Sequence, residues 1–242
     1  MHLEDIVMVA GDTARSRSYI QALRNVGVLP RACVLLPSRD RTGPGQVGDR
    51  SSIPPHEASW GVFDPNVALE DTCIQAGVEL VNASDSDINA PRVVELLCET
   101  EASAFIYSGF GGVLLRKEVL SCGKPFLHVH GGWLPEYKGS TTNHYSLLEA
   151  GFCGASAIFL TEDIDSGEIL WREKFPRPDN LLELDLVLDS LFRAEVLCHV
   201  MLHYKEYARW PETGVENTYT EHYYIMHPVL RHVLLLGGGH GA

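Results

Sequence analysis

Several features that mark other classes of protein are absent from this sequence. Its longest apolar runs, such as Ile6–Ala10 and Val233–Leu236, are far shorter than the ~20 residues that a membrane-spanning helix needs. The first residues, Met1 to Asp5, lack the basic and apolar regions of a signal peptide. No two of the six cysteines have Cys-x-x-Cys spacing, so neither structural zinc nor a disulfide framework is indicated. We therefore expect no membrane partner and a cytoplasmic protein with reduced, mostly buried thiols.

Clusters of basic residues are also missing. The chain has 19 lysines and arginines against 32 acidic residues, which gives a formal net charge of −13. Proteins that track a nucleic-acid backbone need clustered lysine and arginine, because counterion release drives that binding. Only Arg15 with Arg17, and Arg39 with Arg41, form small local groups here. The composition favours a small-molecule substrate and argues against nucleic acid.

What the chain does contain is a regular alternation of short apolar strands and amphipathic helices. Hydrophobic residues make up 45% of the sequence, which suits a globular core. The predicted strands of the first part are Ile6–Ala10, Arg31–Leu36, Glu79–Val81, Ala104–Tyr107 and Pro125–His130. This order predicts an α/β fold, with a Rossmann-like, mostly parallel sheet and helices on both faces. Ligands of such sheets lie beyond the carboxyl ends of the strands.

The last part of the chain has a different pattern. Two further strands around Ser156–Leu160 and Glu168–Arg172 are followed by a long helical pattern from Leu182 to Tyr207. We therefore predict an α/β domain over residues 1–178 and a small, mainly helical C-terminal extension over residues 179–242. A polar stretch from Pro37 to about His56 is predicted to be a long loop. The largely apolar Val229–Leu236 segment is compatible with a homodimer contact.

Candidate catalytic residues stand at the end of the strand that finishes at His130. Residues two apart on a strand face the same side, so His128 and His130 are predicted to project together. Histidine is the side chain most readily used as an acid or base near neutral pH. Asp165, in the polar turn Asp165-Ser166-Gly167, could hold one imidazole in a single tautomer. Either motif alone would equally suit a structural role; together they favour an active site.

These motifs resemble the formyltransferases that use N10-formyltetrahydrofolate. The signature of that family is Asn-x-His-x-Ser-Leu-Leu-Pro-x-Tyr-Arg-Gly, followed further along the chain by Asp-x-Gly. Here His130 matches the histidine, Leu134–Gly139 matches Leu-Pro-x-Tyr-Arg-Gly, and Asp165 with Gly167 matches Asp-x-Gly. The resemblance implies transfer of a formyl group from N10-formyltetrahydrofolate to the amine of a small metabolite or amino sugar. It implies His128, His130 and Asp165 as catalytic residues.

Two departures from the signature lie beside the matched histidine. His128 stands where the family has its catalytic asparagine, and Gly132 stands where it has a serine. In the family the asparagine and histidine stabilise the oxyanion that forms when the amine attacks. His128 can replace the asparagine only if the ring nitrogen that faces the oxyanion bears a proton. Loss of one such donor typically costs about a hundredfold to a thousandfold in rate.

The resemblance also implies which residues bind the two substrates. The predicted residues for the formyl donor are Gly109, Phe110, Val113, Leu114, Leu160, Thr161, Glu162 and Asp163. The predicted residues for the amine substrate are Gly11, Asp12, Gly131, Gly132 and Tyr137. No metal ligand is predicted. Members that act on tRNA carry a further barrel domain, which the predicted helical extension does not match, and the acidic charge also argues against tRNA.

Three other functions stay open from the sequence. One is hydrolysis of the formyl-folate, with water as the nucleophile. The second is a metal-dependent hydrolase that uses His128, His130 and Asp165 as ligands, since imidazole and carboxylate both bind zinc and iron. The third is a catalytically disabled binding protein, because the change at the asparagine position is one that a disabled enzyme would carry.

Overall fold

The computed structural model describes residues 1–38, 53–218 and 221–236. The chain divides into two compact units, residues 1–128 and residues 129–242. This division differs from the predicted boundary after residue 178, which stays a prediction.

The first unit contains a parallel sheet. The strands of the first unit are β1 (His2–Gly11), β2 (Leu29–Leu36), β3 (His56–Ala58), β4 (Gly61–Phe63), β5 (Glu79–Asn82), β6 (Ala104–Ser108) and β7 (Phe126–His130). The last of these runs two residues into the second unit. The sheet order is β5-β2-β1-β6-β7, with parallel pairing throughout, and β3 and β4 form a separate antiparallel hairpin. The central strands β1 and β6 carry the core because their apolar residues are almost completely buried.

Helices connect these strands, and local sequence explains where they begin. They are α1 (Ala14–Asn25), α2 (Leu69–Ala76), α3 (Pro91–Glu99) and α4 (Lys117–Leu120). Thr13 caps α1, because its hydroxyl accepts a hydrogen bond from the backbone N–H of Ser16 at 3.1 Å. Pro91 begins α3, where the missing N–H of proline costs no helical hydrogen bond. The start of α1 follows directly on the end of β1, so its first turn lies at the carboxyl edge of the sheet.

In its described residues, the second unit combines a long and a short strand pairing with three α-helices, the second of which is the longest. Its elements are β8 (Lys138–Gly139), α5 (Thr142–Ala150), β9 (Phe152–Phe159), β10 (Ile169–Pro176), α6 (Asp189–Tyr207), β11 (His222–Tyr223) and α7 (Pro228–Leu236). Strands β9 and β10 pair antiparallel, whereas β11 pairs parallel with β8. The predicted fold class is confirmed: a mostly parallel α/β sheet is followed by a mainly helical C-terminal part. None of the helices in the described ranges is long and apolar enough to cross a membrane.

Some local expectations differ from the structure. The predicted helix from Leu182 begins as a 3-10 turn and a π turn, and α6 itself begins only at Asp189. Most of the predicted long loop, residues 39–52, lies outside the described residues, and the end of that stretch enters β3. The two-residue strand β8 was missed because so short a segment has no apolar alternation to read.

The cysteines are only partly as expected. Four of them, Cys33, Cys73, Cys153 and Cys198, are free and buried, as predicted. Cys98 and Cys122 form a disulfide, so the expectation of reduced thiols is wrong for this pair. Their separation of 24 residues carries no sequence signal, because the contact depends on how α3 and the residues after α4 pack.

Candidate functional site

The end of β7 and the turn between β9 and β10 bring His130 and Asp165 together in the second unit. Nδ1 of His130 lies 3.3 Å from Oδ2 of Asp165. The same carboxylate oxygen accepts a hydrogen bond from the backbone N–H of Gly139 at 3.0 Å. Both side chains are largely buried, with 6% of His130 and 12% of Asp165 exposed. The two residues that the sequence paired are therefore in contact.

The other nitrogen of His130 is also bound to the protein. Nε2 donates a hydrogen bond to the carbonyl oxygen of Tyr137 at 2.8 Å. The hydroxyl of Thr142 lies 3.5 Å from the same nitrogen and donates to the carbonyl of Gly131. A carbonyl and a carboxylate can only accept, so only the doubly protonated ring donates to both at once. A ring that turned to contact a substrate would give up one of these contacts.

The backbone of the Asp-x-Gly motif has an unusual conformation. Asp165 has φ of 50°, in the left-handed region that costs energy for residues with a side chain, although aspartate tolerates it better than most. At Gly167 a β-carbon would lie 1.6 Å from the carbonyl oxygen of Phe159, so no other residue fits there. The glycine lets this turn lie directly against β9, and the left-handed residue directs its carboxylate at His130.

Lys138 contacts the turn that carries Asp165. Its side chain is almost completely buried, and Nζ donates hydrogen bonds to the hydroxyl of Ser166 at 3.3 Å and to the carbonyl of Asn217 at 3.2 Å. Burial lowers the pKa of Lys138, while the negative charges of Asp165 and Asp163 act in the opposite direction. Lys138 stands at the arginine position of the signature, and it supports the turn that carries Asp165.

Neither Gly131 nor Gly132 has room for a side chain. A β-carbon at Gly132 would lie 2.6 Å from Nε2 of His130 and 2.7 Å from the carbonyl oxygen of Tyr137. A β-carbon at Gly131 would lie 2.4 Å from a guanidinium nitrogen of Arg193. The glycine at the serine position of the signature is therefore what allows the observed placement of the His130 ring. The predicted substrate contacts of both glycines stay predictions.

Tyr137 contributes its backbone to the site and its ring to packing. The ring is buried, stacks on Tyr223 with a centroid distance of 5.4 Å, and meets Phe152 edge-on at 6.1 Å. Tyr223 belongs to β11, which pairs with β8 next to Gly139. The C-terminal tail thus packs on the segment that follows His130. The predicted contact of Tyr137 with the amine substrate stays a prediction.

His128 belongs to the first unit and is half-buried. Its Nδ1 donates a hydrogen bond to the carbonyl oxygen of Tyr107 at 3.3 Å, because a carbonyl can only accept. The neutral ring with its hydrogen on Nδ1 has none on Nε2. In this tautomer Nε2 is an acceptor, unlike the amide nitrogen of the asparagine that the family has at this position.

Two predicted glycines of the first unit lie against aromatic rings. A β-carbon at Gly11 would lie 2.5 Å from the ring of Phe110, and one at Gly109 would lie 2.2 Å from the hydroxyl of Tyr107. Both glycines therefore allow an aromatic side chain to approach the backbone closely. Asp12, also predicted to bind substrate, accepts hydrogen bonds from Nε of Arg17 at 2.5 Å and from the backbone N–H at the start of α2 at 3.2 Å.

The remaining predicted donor-binding residues lie on surface loops of their own units. In the first unit Val113 is half-buried and Leu114 is 58% exposed. In the second unit Thr161, Glu162 and Asp163 are exposed, whereas Leu160 packs against the buried cluster of Leu134, Ile158 and Ile169. The roles of these residues in binding the formyl donor stay predictions.

Sequence reasoning missed three residues of the second unit. Thr142 lies in a polar run directly after the signature, and this position is a sequence signal that could have indicated it. Lys138 was matched to the signature, but nothing in the pattern indicated that it is buried under the Asp165 turn. Asn217, whose amide donates to the carbonyl groups of Asp165 and Gly167, had no sequence signal at all.

The histidines of β7 do not belong to the group of metal-ligand side chains that the structure brings together. Across the described parts of the chain, that group is Glu173, Glu195 and His199, whose ligand atoms lie within 4.8 Å of one another. Both ring nitrogens of His130 face protein acceptors instead. The geometry gives the metal-dependent hydrolase no support.

Comparison with known proteins identifies the family. A family model described as formyl transferase matches residues 6–178. The chain is 27% identical over 149 residues to a methionyl-tRNA formyltransferase of Finegoldia magna, a match that covers 60% of this chain and 46% of that protein. The chain thus spans less than half the length of this curated relative.

Solved structures share the fold. A sugar N-formyltransferase of Shewanella has a TM-score of 0.59 at 14% identity, with 96% of this chain and 87% of that chain covered. An N-formyltransferase of Helicobacter canadensis, in complex with folinic acid and dTDP-3-aminofucose, has a TM-score of 0.53 at 14% identity, with 92% and 71% covered. Together with the motif around His130 and Asp165, the family match leads to one conclusion: this chain belongs to the formyl transferase family.

Proposed function

We propose that the protein transfers the formyl group of N10-formyltetrahydrofolate to the amine of a small metabolite or amino sugar. In the net reaction a bond forms between the amine nitrogen and the formyl carbon, the bond from that carbon to N10 breaks, and a proton of the amine ends on N10. The observation that carries the proposal is the buried contact between His130 and Asp165, which lies within the sequence that matches the family.

In this proposal His130 is the general acid and electrophile, and Asp165 is its partner. The carboxylate is held by the N–H of Gly139, which leaves it directed at Nδ1 of His130. A buried carboxylate beside an imidazole fixes the ring and compensates a positive charge on it. For His130 to contact the formyl oxygen, its ring must exchange the Tyr137 carbonyl for the substrate.

His128 is proposed as the second group at the oxyanion. Its hydrogen bond from Nδ1 to the Tyr107 carbonyl leaves Nε2 without a hydrogen in the neutral ring. It follows that His128 donates from Nε2 only when the ring is doubly protonated. This chain would then stabilise the oxyanion less well than a member with asparagine, unless the ring is charged in the complex.

The predicted donor-binding residues of each unit suit a flat, partly apolar ring system. In the first unit Gly109 and Phe110 are followed by half-buried Val113 and exposed Leu114. In the second unit the backbone of residues 160–163 provides polar groups in an exposed loop. An apolar surface with a few polar backbone groups is typical of small-molecule sites.

The acceptor is proposed to be an amine on a small molecule, with an amino sugar as the leading class. The solved structures similar to this chain include sugar N-formyltransferases and phosphoribosylglycinamide formyltransferases. The net charge of −13 opposes tRNA binding. Gly11, Asp12, Gly131, Gly132 and Tyr137 remain the predicted acceptor contacts.

The test is direct. The protein is incubated with N10-formyltetrahydrofolate and a panel of amines that includes nucleotide-linked amino sugars and glycinamide ribonucleotide, and formylated products are identified by mass spectrometry. A formylated amine with stoichiometric tetrahydrofolate supports the proposal. Formate release without an acceptor would instead indicate hydrolysis. Binding of a folate analogue without any turnover would indicate a disabled binding protein, and absence of binding would overturn the proposal.

A homodimer is part of the proposal. Helix α7 exposes Val229, Leu230, Val233 and Leu236, whereas Leu234 is buried against the rest of its unit. Apolar side chains spaced along one helix in this way are typical of association surfaces. Light scattering after size-exclusion chromatography decides between monomer and dimer. A cytoplasmic location also stays a prediction.

A further inference from the structure

A segment beyond the part that matches the family lies across the Asp-x-Gly motif. The family match ends at residue 178, whereas the coil of residues 211–218 returns to the turn that carries Asp165. Thr213 anchors it, because its hydroxyl donates to the carbonyl of Ile169 at 2.6 Å. Val215 packs against the buried cluster formed by Leu134, Ile158 and Ile169. The coil is thus fixed to the second unit on both sides of residue 214.

The side chain of Asn217 spans the turn. Its amide nitrogen donates to the carbonyl oxygen of Asp165 at 2.9 Å and to that of Gly167 at 2.7 Å. One amide group therefore binds the carbonyls on either side of Ser166. Asp165 has the positive φ of 50° that an L-residue adopts only when its surroundings hold it there. The two hydrogen bonds supply that constraint from 52 residues along the chain.

Lys138 also forms a hydrogen bond with this coil. Its ammonium group donates to the backbone carbonyl of Asn217 and to the hydroxyl of Ser166, so it links the coil to the turn. Both donors act on the residues around Asp165 and leave its carboxylate to Gly139 and His130. The carbonyl groups of the turn and the carboxylate that faces His130 are thus bound by different partners.

We infer that Asn217 is a positioning residue, whose side-chain amide fixes the left-handed turn at Asp165 and so holds the carboxylate against His130. The inference rests on the proposed function. Among the hydrogen bonds of the described residues, none joins Asn217 to His130, so its effect passes through the turn. A displacement of a catalytic group by about 1 Å is enough to lower a rate about a hundredfold.

Kinetics of matched variants test the inference. Asn217→Ala removes both hydrogen bonds, and Asn217→Asp removes the donors while keeping the size of the side chain. We expect both to lower kcat about thirtyfold with KM for the formyl donor unchanged, because ground-state binding does not need the Asp165 carboxylate. The control is Thr213→Val, which removes a hydrogen bond of the same coil to a strand carbonyl away from the Asp165 turn. It is expected to keep the wild-type kcat.

A readout independent of turnover separates this inference from the proposed function. The nitrogen-15 shifts of the His130 ring, assigned by comparison with His130→Gln, report whether its contact with Asp165 is intact. We expect them to move in both Asn217 variants and to stay in place in Thr213→Val. If the wild-type protein transfers no formyl group, the proposed function fails, and the ring shifts still test the positioning role.

Three outcomes would overturn the inference. The first is wild-type kcat and wild-type ring shifts in Asn217→Asp. The second is an equal loss of kcat in Thr213→Val, which would show that the coil matters only for stability. The third is a rise in KM without a change in kcat. If Asn217→Ala does not fold, Asn217→Leu carries the test, since it removes the donors, keeps most of the packing volume and adds no charge beside the turn carbonyls.

Discussion

Two of the histidine–carboxylate pairs in the second unit are similar in length but lie in different surroundings. Nδ1 of His130 lies 3.3 Å from Asp165, and Nε2 of His199 lies 3.5 Å from Glu173. The first pair is buried, with 6% and 12% of the side chains exposed, whereas the second has 43% and 35% exposed. Distance alone would rank the two pairs almost equally.

The surroundings separate them. Both ring nitrogens of His130 face acceptors, and the carboxylate of Asp165 is fixed by a backbone N–H. His199 stacks on Trp171 with a centroid distance of 5.2 Å, and Glu173 faces solvent as well as its partner. Solvent screens an exposed pair, so its contribution to stability is small. The two pairs therefore differ in how firmly their surroundings hold them, and only the buried, fixed pair is proposed to be catalytic.

Asp165→Asn is expected to have the largest effect. The amide keeps the shape of the side chain, and its oxygen can accept from Gly139, but it carries no negative charge to stabilise a charged His130. We expect kcat for formyl transfer to fall roughly a thousandfold. The matched control is Glu173→Gln, the same acid-to-amide change in the surface pair, which should leave kcat unaltered. A loss smaller than tenfold for Asp165→Asn would remove the distinction between the two pairs.

Gly132→Ser restores the residue of the family signature and is expected to be the second most harmful change. The new β-carbon would lie 2.6 Å from Nε2 of His130 and 2.7 Å from a backbone carbonyl, so the ring or the backbone must shift. We expect a destabilisation of about 1–3 kcal/mol, measured by chemical denaturation, together with a clear loss of kcat.

Gly151→Ala is the control for Gly132→Ser. Gly151 ends α5 with φ of 74° and has no atom within 4 Å of the added β-carbon, so it loses stability through strain alone. If Gly151→Ala reduced kcat as much as Gly132→Ser, the effect at Gly132 would be general destabilisation rather than displacement of His130.

His128→Asn restores the asparagine of the family signature. In the neutral ring, the hydrogen bond from Nδ1 of His128 to the Tyr107 carbonyl leaves Nε2 without a hydrogen, whereas an asparagine amide always carries two. We expect kcat for formyl transfer to rise about tenfold, because a donor becomes available for the oxyanion. His199→Asn in the surface pair serves as the control and should not alter kcat. A fall in kcat for His128→Asn would mean that the histidine has a catalytic role that asparagine lacks.

Glu173→Gln is expected to have the smallest effect, and on stability alone. Partial burial raises the pKa of Glu173 above its ordinary value of 4.5, while His199 lowers it and Glu195 raises it. A raised pKa in the folded state means that stability is lost as the pH rises from 4.5 through the folded-state pKa. The glutamine variant should therefore be more stable than wild type by a few tenths of a kcal/mol at pH 7, because solvent screens the pair.

The pH dependence provides the check on that prediction. Below pH 4.5 Glu173 is protonated in both the folded and the unfolded state, so the two proteins should be equally stable there. Urea denaturation at pH 7 and pH 4 measures both differences. A glutamine variant that is less stable than wild type at pH 7 would mean that the pair with His199 stabilises the fold.

Sequence alone determined the α/β class and the central pair of the site. The apolar strands β1 and β6 could be read because burial on both faces leaves an uninterrupted apolar run. His130 and Asp165 could be paired because their motifs match a family signature. The positions of Gly132 and Gly167 were also visible, but the reason for each glycine was not, since it depends on atoms of other elements.

Only the tertiary structure decided how that pair is held. The Tyr137 carbonyl at Nε2 of His130, the burial of Lys138, and the two hydrogen bonds from Asn217 depend on the path of the chain. The disulfide between Cys98 and Cys122 and the pairing of β11 with β8 have the same origin. Hydrophobic periodicity reports which face of a local segment is buried. It does not report which residue 52 positions away supplies a hydrogen bond, because that depends on packing of the whole unit.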